Sequence, residues 1–362
     1  MKINGIHHVS SIVGHAQRNL DQYAGVLGMR LVKKTLNFDD SSTYHFYYGN
    51  EDGSSNLLTT FPWNDAVDGK VGSGQVGITS LAVNVGTLDD WQARLNQFKL
   101  ESTLSVKYGQ KTLSFEDIDG LKYELVESDK LPNSKWEFNG VDKNHAIKGI
   151  ERVTLFSRIP QTTIELFKTI FNYEVVSEND EAVLLQVSED LGGTLEIIKE
   201  KVELGQQGVG TVHHLALSID NGDEDAWVSK LQAAGYRPTE VKDRKYFRSI
   251  YFREKGGILI ELATVKPGVL VDESEENLGS ELLIPPHYEI IREEIEATIM
   301  PVTVREVDKL EGYGYRDMYE YNLLREKARL KEDLLALKNQ KTLSAEDVYK
   351  ISELKKAIIK VK

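Results

Sequence analysis

The sequence predicts an α+β fold in which four βαβββ units form two open, barrel-like domains, followed by a C-terminal helical extension. A histidine pair occurs twice, in the stretches 5–10 and 211–216, and each pair opens a strand-like run. Helical spacing and then further strand-like runs follow each time. Three of the four closing runs carry a glutamate flanked by apolar residues, namely Glu124, Glu196 and Glu261. These recurrences indicate one structural unit repeated four times.

The elements follow in order from alternation, helical spacing and turn residues. The first unit is predicted as a strand at 6–13, a helix at 18–27 that ends at Gly28, and strands at 30–34, 44–48 and 56–60. The other three units open at 76–83, 150–156 and 211–216, have helices at 88–98, 163–171 and 224–234, and close at 119–126, 192–198 and 256–262. All four units therefore share one plan.

Three regions result from this division. Residues 1–140 hold the first and second units, residues 141–284 hold the third and fourth, and residues 285–362 form the helical extension. The outer units, first and fourth, have the histidine pairs. We therefore expect these two to pack together around one site and the inner two to form a structural barrel.

The four units do not all have both the opening-strand histidine and the closing-strand glutamate that a metal site would need. Where the outer units have a histidine, the second unit offers Ser80 and the third offers Val153 or Thr154. Where the other units have a closing glutamate, the first has Leu58 or Thr59. One complete set of ligands can be assembled only from the first and fourth units.

The extension has a helical pattern, with helices predicted at 288–296, 317–339 and from 344 onward. Ser344 and Asp347 form a capping-box-like pair, and Leu343 with Val348 can form a hydrophobic staple. We expect the extension to dock on the barrels or on a second subunit.

Composition narrows the class of protein. The 362 residues and 40% hydrophobic content suffice for about two domains, and a formal charge of -13 disfavours nucleic acid and anionic membranes as partners. The absence of cysteine excludes disulfides, thiolate metal ligands and thiol nucleophiles. No apolar stretch is long enough to span a membrane, and the first residues lack the apolar core of a signal peptide. We expect a cytoplasmic protein.

Two strand-borne histidines and one strand-borne carboxylate form a ligand set that holds a divalent metal on one face and leaves positions open for substrate and oxygen. The candidates are His8, His214 and Glu261. In a regular strand only one histidine of each pair points inward, and the neighbouring residues do not decide which one. A single buried histidine is usually structural, but three such groups at equivalent places in a repeat favour a joint metal site.

A hairpin about residues 255–257 would place Tyr251 directly opposite Glu261, with its phenol beside the metal. Four histidines lack an equivalent strand position and are expected to be structural: His15, His45, His145 and His287. The other repeat glutamates, Glu124 and Glu196, are expected to be solvated or hydrogen-bonded remnants. Lys33 and Lys34 are expected to be solvated charges.

A set of segments carries a family resemblance: 6–10, 32–39, 44–48, 59–62, 212–214, 243–245, Tyr251 and 260–261. Through them the chain resembles the vicinal oxygen chelate superfamily over about residues 1–295, and within it the two-domain ring-cleaving dioxygenases that act on hydroquinones and related phenols. The resemblance implies ligands for Fe(II), or for Mn(II) or another divalent metal, at His8, His214 and Glu261. It places four further residues around the substrate: Tyr251, Arg244, His213 and His7.

The activity implied is an extradiol-type dioxygenase that inserts O2 into a hydroquinone or related phenol, with homo-oligomerisation left open. Tyr251 and His213 would exchange protons with the substrate hydroxyl, and Arg244 would stabilise negative charge. Metal binding needs neutral imidazoles, so activity should be lost at acid pH.

The same fold serves other reactions, so two alternatives are kept. A glyoxalase-like metal-dependent isomerase or lyase would normally have a glutamate in the first unit's closing strand. A metal-free aromatic-binding protein would tolerate Glu261→Ala.

Overall fold

The computed structural model describes residues 1–54, 56–63, 66–130, 133–306, 330, 334, 336–338 and 344–360. Its strands are β1 (Ile3–Val13), β2 (Arg30–Asn37), β3 (Asp40–Gly49), β4 (Leu57–Pro62), β5 (Gln75–Val83), β6 (Ser102–Lys107), β7 (Gln110–Glu116), β8 (Lys122–Glu127), β9 (Gly149–Phe156), β10 (Glu174–Glu178), β11 (Ala182–Gln186), β12 (Thr194–Ile198), β13 (Thr211–Ile219), β14 (Lys242–Asp243), β15 (Arg248–Arg253), β16 (Leu259–Thr264) and β17 (Leu282–Leu283). Its helices are α1 (Ala16–Leu20), α2 (Leu88–Gln97), α3 (Pro160–Thr169), α4 (Glu224–Ala233), α5 (Arg292–Thr298) and α6 (Ala345–Lys360). None of the helices in these described residues is both long enough and apolar enough to cross a membrane.

Two sheets organise the strands. The nine-stranded sheet has the order β14-β15-β16-β13-β1-β4-β3-β2-β17, and the eight-stranded sheet has the order β10-β11-β12-β9-β5-β8-β7-β6. The first sheet therefore joins the first and fourth units through the antiparallel pair β1–β13. The second sheet joins the second and third units through the antiparallel pair β5–β9. The α+β class with four repeated units is confirmed, whereas the domain boundaries at 140 and 284 stay a prediction.

The first helix differs from its prediction in form. Helix α1 continues as a π-helix over Asp21–Val26, so the predicted helix at 18–27 is present with a widened second half. It ends before Gly28, which has a φ of 63°. A Cβ at Gly28 would lie 2.6 Å from the Val141 side chain, so both the backbone and the packing require glycine.

The hairpin between β15 and β16 sets the register of the fourth unit. Gly257 has a φ of 100°, which permits the tight turn that side chains disfavour. The strands then pair Tyr251 with Glu261, as predicted. Both side chains consequently lie on one face of the nine-stranded sheet.

The residues just before the extension join that sheet. Strand β17 pairs in parallel with β2, and a 3-10 helix over Pro286–Ile291 leads into α5, which agrees with the helix predicted at 288–296. Ser344 and Asp347 exchange the two capping-box hydrogen bonds at the start of α6. The helix predicted at 317–339 lies almost wholly outside the described residues, and so does the Leu343 half of the hydrophobic staple.

The prediction that Lys33 is a solvated charge is wrong. Its side chain is fully buried, with Nζ 2.8 Å from Asp272 Oδ1 and 2.5 Å from Glu273 Oε2. Sequence alternation could not reveal this, because the two carboxylates come from a segment about 240 residues further along the chain. Lys34 is only half-buried and donates to the Ser280 carbonyl.

Candidate active site

Three neighbouring strands bring the predicted ligands together. His8 lies on β1, His214 on β13 and Glu261 on β16, and β13 is the middle strand of the three. The register pairs His214 with Ser10 and Ala216 with Glu261, so the three side chains project from one face. All three are buried. Residues more than 200 positions apart thus meet because the first and fourth units share a sheet.

The donor atoms of these side chains converge on one point. His8 Nε2 and His214 Nε2 are 3.1 Å apart, and Glu261 Oε2 lies 3.1 Å from the first and 2.8 Å from the second. Neither oxygen of Glu261 accepts an aligned hydrogen bond from the described residues. A buried carboxylate in that state is costly unless a cation is present.

The two histidine pairs have the same internal contact. His7 Nδ1 lies 2.8 Å from His8 Nδ1, and His213 Nδ1 lies 2.8 Å from His214 Nδ1. The register of β1 against β13 shifts near both pairs, so neighbouring imidazoles meet instead of facing opposite ways. Burial, with a neighbouring histidine, lowers the pKa of His7 and of His213 to about 3, so both are neutral.

A cavity of about 250 Å³ opens beside the cluster. Its lining is mainly aromatic and apolar, with a few polar groups: His8, Asn37, Phe38, Asp39, His45, Tyr47, Phe61, His213, His214, Thr239, Lys242, Arg244, Phe247, Tyr251 and Leu259. His7 is outside this lining. It borders a second cavity of about 480 Å³, which shares Tyr47 and Phe247 with the first. Of the four residues expected around a substrate, the structure therefore brings Tyr251, Arg244 and His213 to the first cavity and places His7 behind His8.

Tyr251 and Arg244 form one side of the cavity. The Tyr251 ring lies 5.7 Å from the His214 ring, and the Arg244 guanidinium stands 5.4 Å from the Tyr251 ring centre. Burial and the charge of Glu261 raise the pKa of Tyr251, so its phenol keeps its proton at neutral pH. Arg244 also pairs with Asp39, at 3.0 Å. The cavity therefore combines a protonated phenol with a permanent positive charge.

Burial and mutual contact shift the pKa values of the candidate ligands His214 and Glu261. Burial lowers the pKa of His214, which keeps its imidazole neutral. Burial alone would raise the pKa of Glu261, but the adjacent His8 and His214 hold it well below its usual value. A neutral His214 imidazole and an ionised Glu261 carboxylate are therefore available as ligands at neutral pH.

The structural role predicted for His45 overlooked its position. His45 is buried in the cavity wall, with Nε2 3.0 Å from Thr59 Oγ1, and Thr59 Oγ1 lies 2.6 Å from Ser10 Oγ. Ser10 Oγ is also 2.9 Å from His214 Nε2, so this polar chain reaches the ligand cluster. Burial, with the nearby histidines, lowers the pKa of His45 well below its usual value. One indication of this position was available in the sequence: His45 and Tyr47 are two residues apart on β3 and therefore lie on the same face.

The register also shows which positions are equivalent in the four units. The glutamate position, which pairs with the opening strand, holds Thr59, Glu124, Glu196 and Glu261. Two residues before the paired residue, the histidine position holds His8, Ile78, Arg152 and His214. The expectation that Ser80, Val153 or Thr154 replaces the histidine is thus wrong by register, and Thr59 is the residue that replaces the glutamate.

In the eight-stranded sheet, positively charged side chains pair with the two equivalent glutamates. Arg152 donates to Glu124 at 3.1 Å, and Lys107 Nζ lies 2.7 Å from Glu196 Oε2. Both glutamates are buried and hydrogen-bonded, which excludes the solvated alternative. A guanidinium and an ammonium neutralise the inner pair of carboxylates, whereas Glu261 forms no ion pair with a lysine or an arginine of the described residues.

Comparison with known proteins agrees with this architecture. The family model described as Glyoxalase/Bleomycin resistance protein/Dioxygenase superfamily matches residues 5–125 and 149–262. The chain is 43% identical over 310 residues to a candidate ring-cleaving dioxygenase of Bacillus subtilis, MhqO, covering 85% of this chain and 99% of that one. It is 33% identical over 313 residues to the chlorohydroquinone/hydroquinone 1,2-dioxygenase of Sphingobium indicum, covering 82% and 96%.

A solved structure supports the same relationship. The crystal structure of a candidate dioxygenase from Bacillus subtilis superposes with a TM-score of 0.82 at 42% identity, covering 84% of this chain and 99% of that one. The likeness extends over nearly the whole of each relative. The chain therefore belongs to the Glyoxalase/Bleomycin resistance protein/Dioxygenase superfamily and, within it, to the ring-cleaving dioxygenases.

Proposed function

We propose that this enzyme is a metal-dependent, extradiol-type dioxygenase that opens the ring of a hydroquinone or a related phenol with O2. The observation that carries the proposal is the convergence of His8, His214 and Glu261 on one point. Ligands about 2.1 Å from an octahedral ion, at right angles to each other, stand about 3.0 Å apart. The three separations of 2.8 to 3.1 Å fit one triangular face of such a shell.

Iron(II) is the metal we propose, since two imidazoles and one carboxylate with open positions suit oxygenase iron. When bound, the ion would supply the open positions at which a deprotonated phenol and O2 can be brought together. Glu261 Oε2 is buried and lies within 2.8 to 3.1 Å of the two imidazole nitrogens, but it has no aligned donor among the described residues, which supports a cation at this place. Ser10 does not compete for His214 Nε2, because its hydroxyl can donate to Thr59 instead.

The second histidine of each pair fixes the first. If Nε2 of His8 and of His214 binds metal, the proton of each ring is on Nδ1, which then donates to His7 or His213. His7 and His213 consequently have their own protons on Nε2. For His7 that proton faces the Thr264 backbone, and for His213 it is available to the cavity. We propose His7 as a residue that orients His8, and His213 as a hydrogen-bond donor to the substrate.

Tyr251 and Arg244 would act on the substrate oxygens. The protonated phenol of Tyr251 can donate a hydrogen bond, and a proton, to an oxygen beside the ligand cluster. Arg244 stabilises negative charge that develops on the ring oxygens. The aromatic walls, Phe38, Phe61 and Phe247 among them, would hold a single ring by apolar contact. A cavity of about 250 Å³ fits a one-ring substrate.

The test is oxygen uptake by protein purified without air and loaded with Fe(II). We expect one O2 consumed per hydroquinone, loss of uptake after chelation, and recovery on adding iron. The matched pair of variants is Glu261→Gln, which should abolish uptake, and Glu196→Gln, which should retain it. Uptake that survives chelation would argue against a metal enzyme. Isomerase activity without O2 consumption would favour the glyoxalase-like alternative, against which Thr59 in the first closing strand already counts.

A further inference from the structure

The mouth of the first cavity is bordered by a turn of the first unit. Phe38 and Asp39 form the two-residue turn between β2 and β3, where Asn37 pairs with Asp40. Both turn residues line the cavity. The position of this turn therefore sets the shape of the entrance.

The C-terminal extension holds the same turn. His287 Nε2 lies 2.9 Å from the Phe38 carbonyl oxygen, and the Tyr288 hydroxyl donates to that oxygen at 3.2 Å. The two rings also contact each other, and the His287 ring lies 5.6 Å from the Phe38 ring. One carbonyl thus accepts two hydrogen bonds from consecutive residues of a segment 249 positions away.

The segment that donates these bonds is itself anchored on both sides. Before it, β17 pairs with β2, the strand that leads into the turn. After it, the Tyr44 hydroxyl donates to the Met300 carbonyl at 3.0 Å. Strand β17 and the start of the extension therefore form a brace along the first unit, defined here as residues 282–300, which passes next to the cavity at His287 and Tyr288.

The turn also positions Arg244, which lines the cavity. Arg244 donates to Asp39 at 3.0 Å and stands 5.6 Å from the Phe38 ring centre and 5.4 Å from the Tyr251 ring centre. Its guanidinium is thus held between the turn and Tyr251. Movement of Phe38 or Asp39 would change the direction in which Arg244 presents its charge.

We propose that His287 and Tyr288 are positioning residues of the substrate cavity: by fixing the Phe38 carbonyl they set Phe38, Asp39 and, through Asp39, Arg244. The proposal rests on the proposed function only in taking the cavity as the phenol site. It gives the extension a role in substrate recognition, as a brace of the entrance, rather than in chemistry.

The experiment compares the full-length, Fe(II)-loaded protein with His287→Ala/Tyr288→Phe, in which both donors are lost. With hydroquinone we expect KM to rise about tenfold while kcat stays within twofold, and binding of 4-nitrophenol to weaken by a similar factor. The single variant His287→Gln has Tyr288 intact and keeps an N–H donor near the Nε2 position, so it should show little of this loss. His145→Ala is the matched control, because that partly exposed histidine pairs with Asp142 and Asp90 and lines neither cavity.

Hydrogen exchange separates this inference from the proposed function. The double variant should exchange amides of residues 37–43 about tenfold faster, and the His145→Ala control should not. Unchanged exchange together with unchanged KM would overturn the positioning role. A fall in kcat equal to the rise in KM would also overturn it, since that would indicate general damage to the site. If the parent binds no phenol at all, the proposed function fails while the exchange measurement still decides the role of the brace.

Discussion

Glu261→Gln separates a metal ligand from a structural carboxylate. Glu261 is fully buried, and neither oxygen accepts an aligned hydrogen bond from the described residues. In the metal-free protein its close partners are His8 and His214, which hold its pKa well below the usual value, so a neutral amide of the same shape loses that stabilisation. We therefore expect the metal-free variant to unfold at a somewhat lower temperature than the metal-free parent.

Added metal should enlarge that difference. A cation at 100 times its Kd stabilises the folded state by about 2.7 kcal/mol. With about 2.1 cal/mol/K of unfolding entropy per residue over roughly 300 folded residues, this amounts to about 4 °C in Tm. Thermal unfolding under argon, with and without Fe(II), should show this rise in the parent and no resolved rise in the variant.

Glu196→Gln is the matched control because Glu196 occupies the equivalent position of the repeat and is equally buried. Its carboxylate is bonded to Lys107, Tyr108 and Thr154. Losing these charge-assisted bonds should cost about 2 kcal/mol and leave the Fe(II)-dependent rise intact. The reasoning is refuted if Glu261→Gln keeps the metal-dependent rise, or if Glu196→Gln loses it.

Three further predictions follow from the same contacts. Tyr251→Phe should lower turnover by about 10²-fold or more while bound iron stays constant, measured by O2 uptake and metal analysis. Arg152→Met should lower the free energy of unfolding, measured by urea titration, by about 3 kcal/mol or more, because Glu124 loses its buried cation, and should leave KM unchanged. Burial raises the pKa of Asp21 from 3.8 to about 7, so the folded state keeps a proton that the unfolded state loses as pH rises through this range. Asp21→Asn should therefore gain stability over the parent at pH 8, by at most about 4 kcal/mol, and gain none at pH 4 in urea titrations.

The repeat was visible in the sequence because each unit must bury one face of its strands, which imposes the same alternation four times. The same periodicity predicted the hairpin that pairs Tyr251 with Glu261, since strand register near a tight turn is a local property. The capping box at Ser344 is local in the same way. Chemistry-bearing residues at matching places in the repeat were sufficient to indicate one histidine of each pair, together with Glu261, as candidates.

Features that depend on partners distant in the chain were decided only by the tertiary structure. Alternation could not choose between the members of each histidine pair, because shifts in the β1–β13 register turn both imidazoles toward each other. Lys33 looked solvated until Asp272 and Glu273 were seen to cover it. His287 acquired a place beside the cavity only through the return of the chain along β2. A residue's own neighbours fix its strand and its face, but its charge partners and its access to a cavity depend on contacts between segments that the linear pattern does not encode.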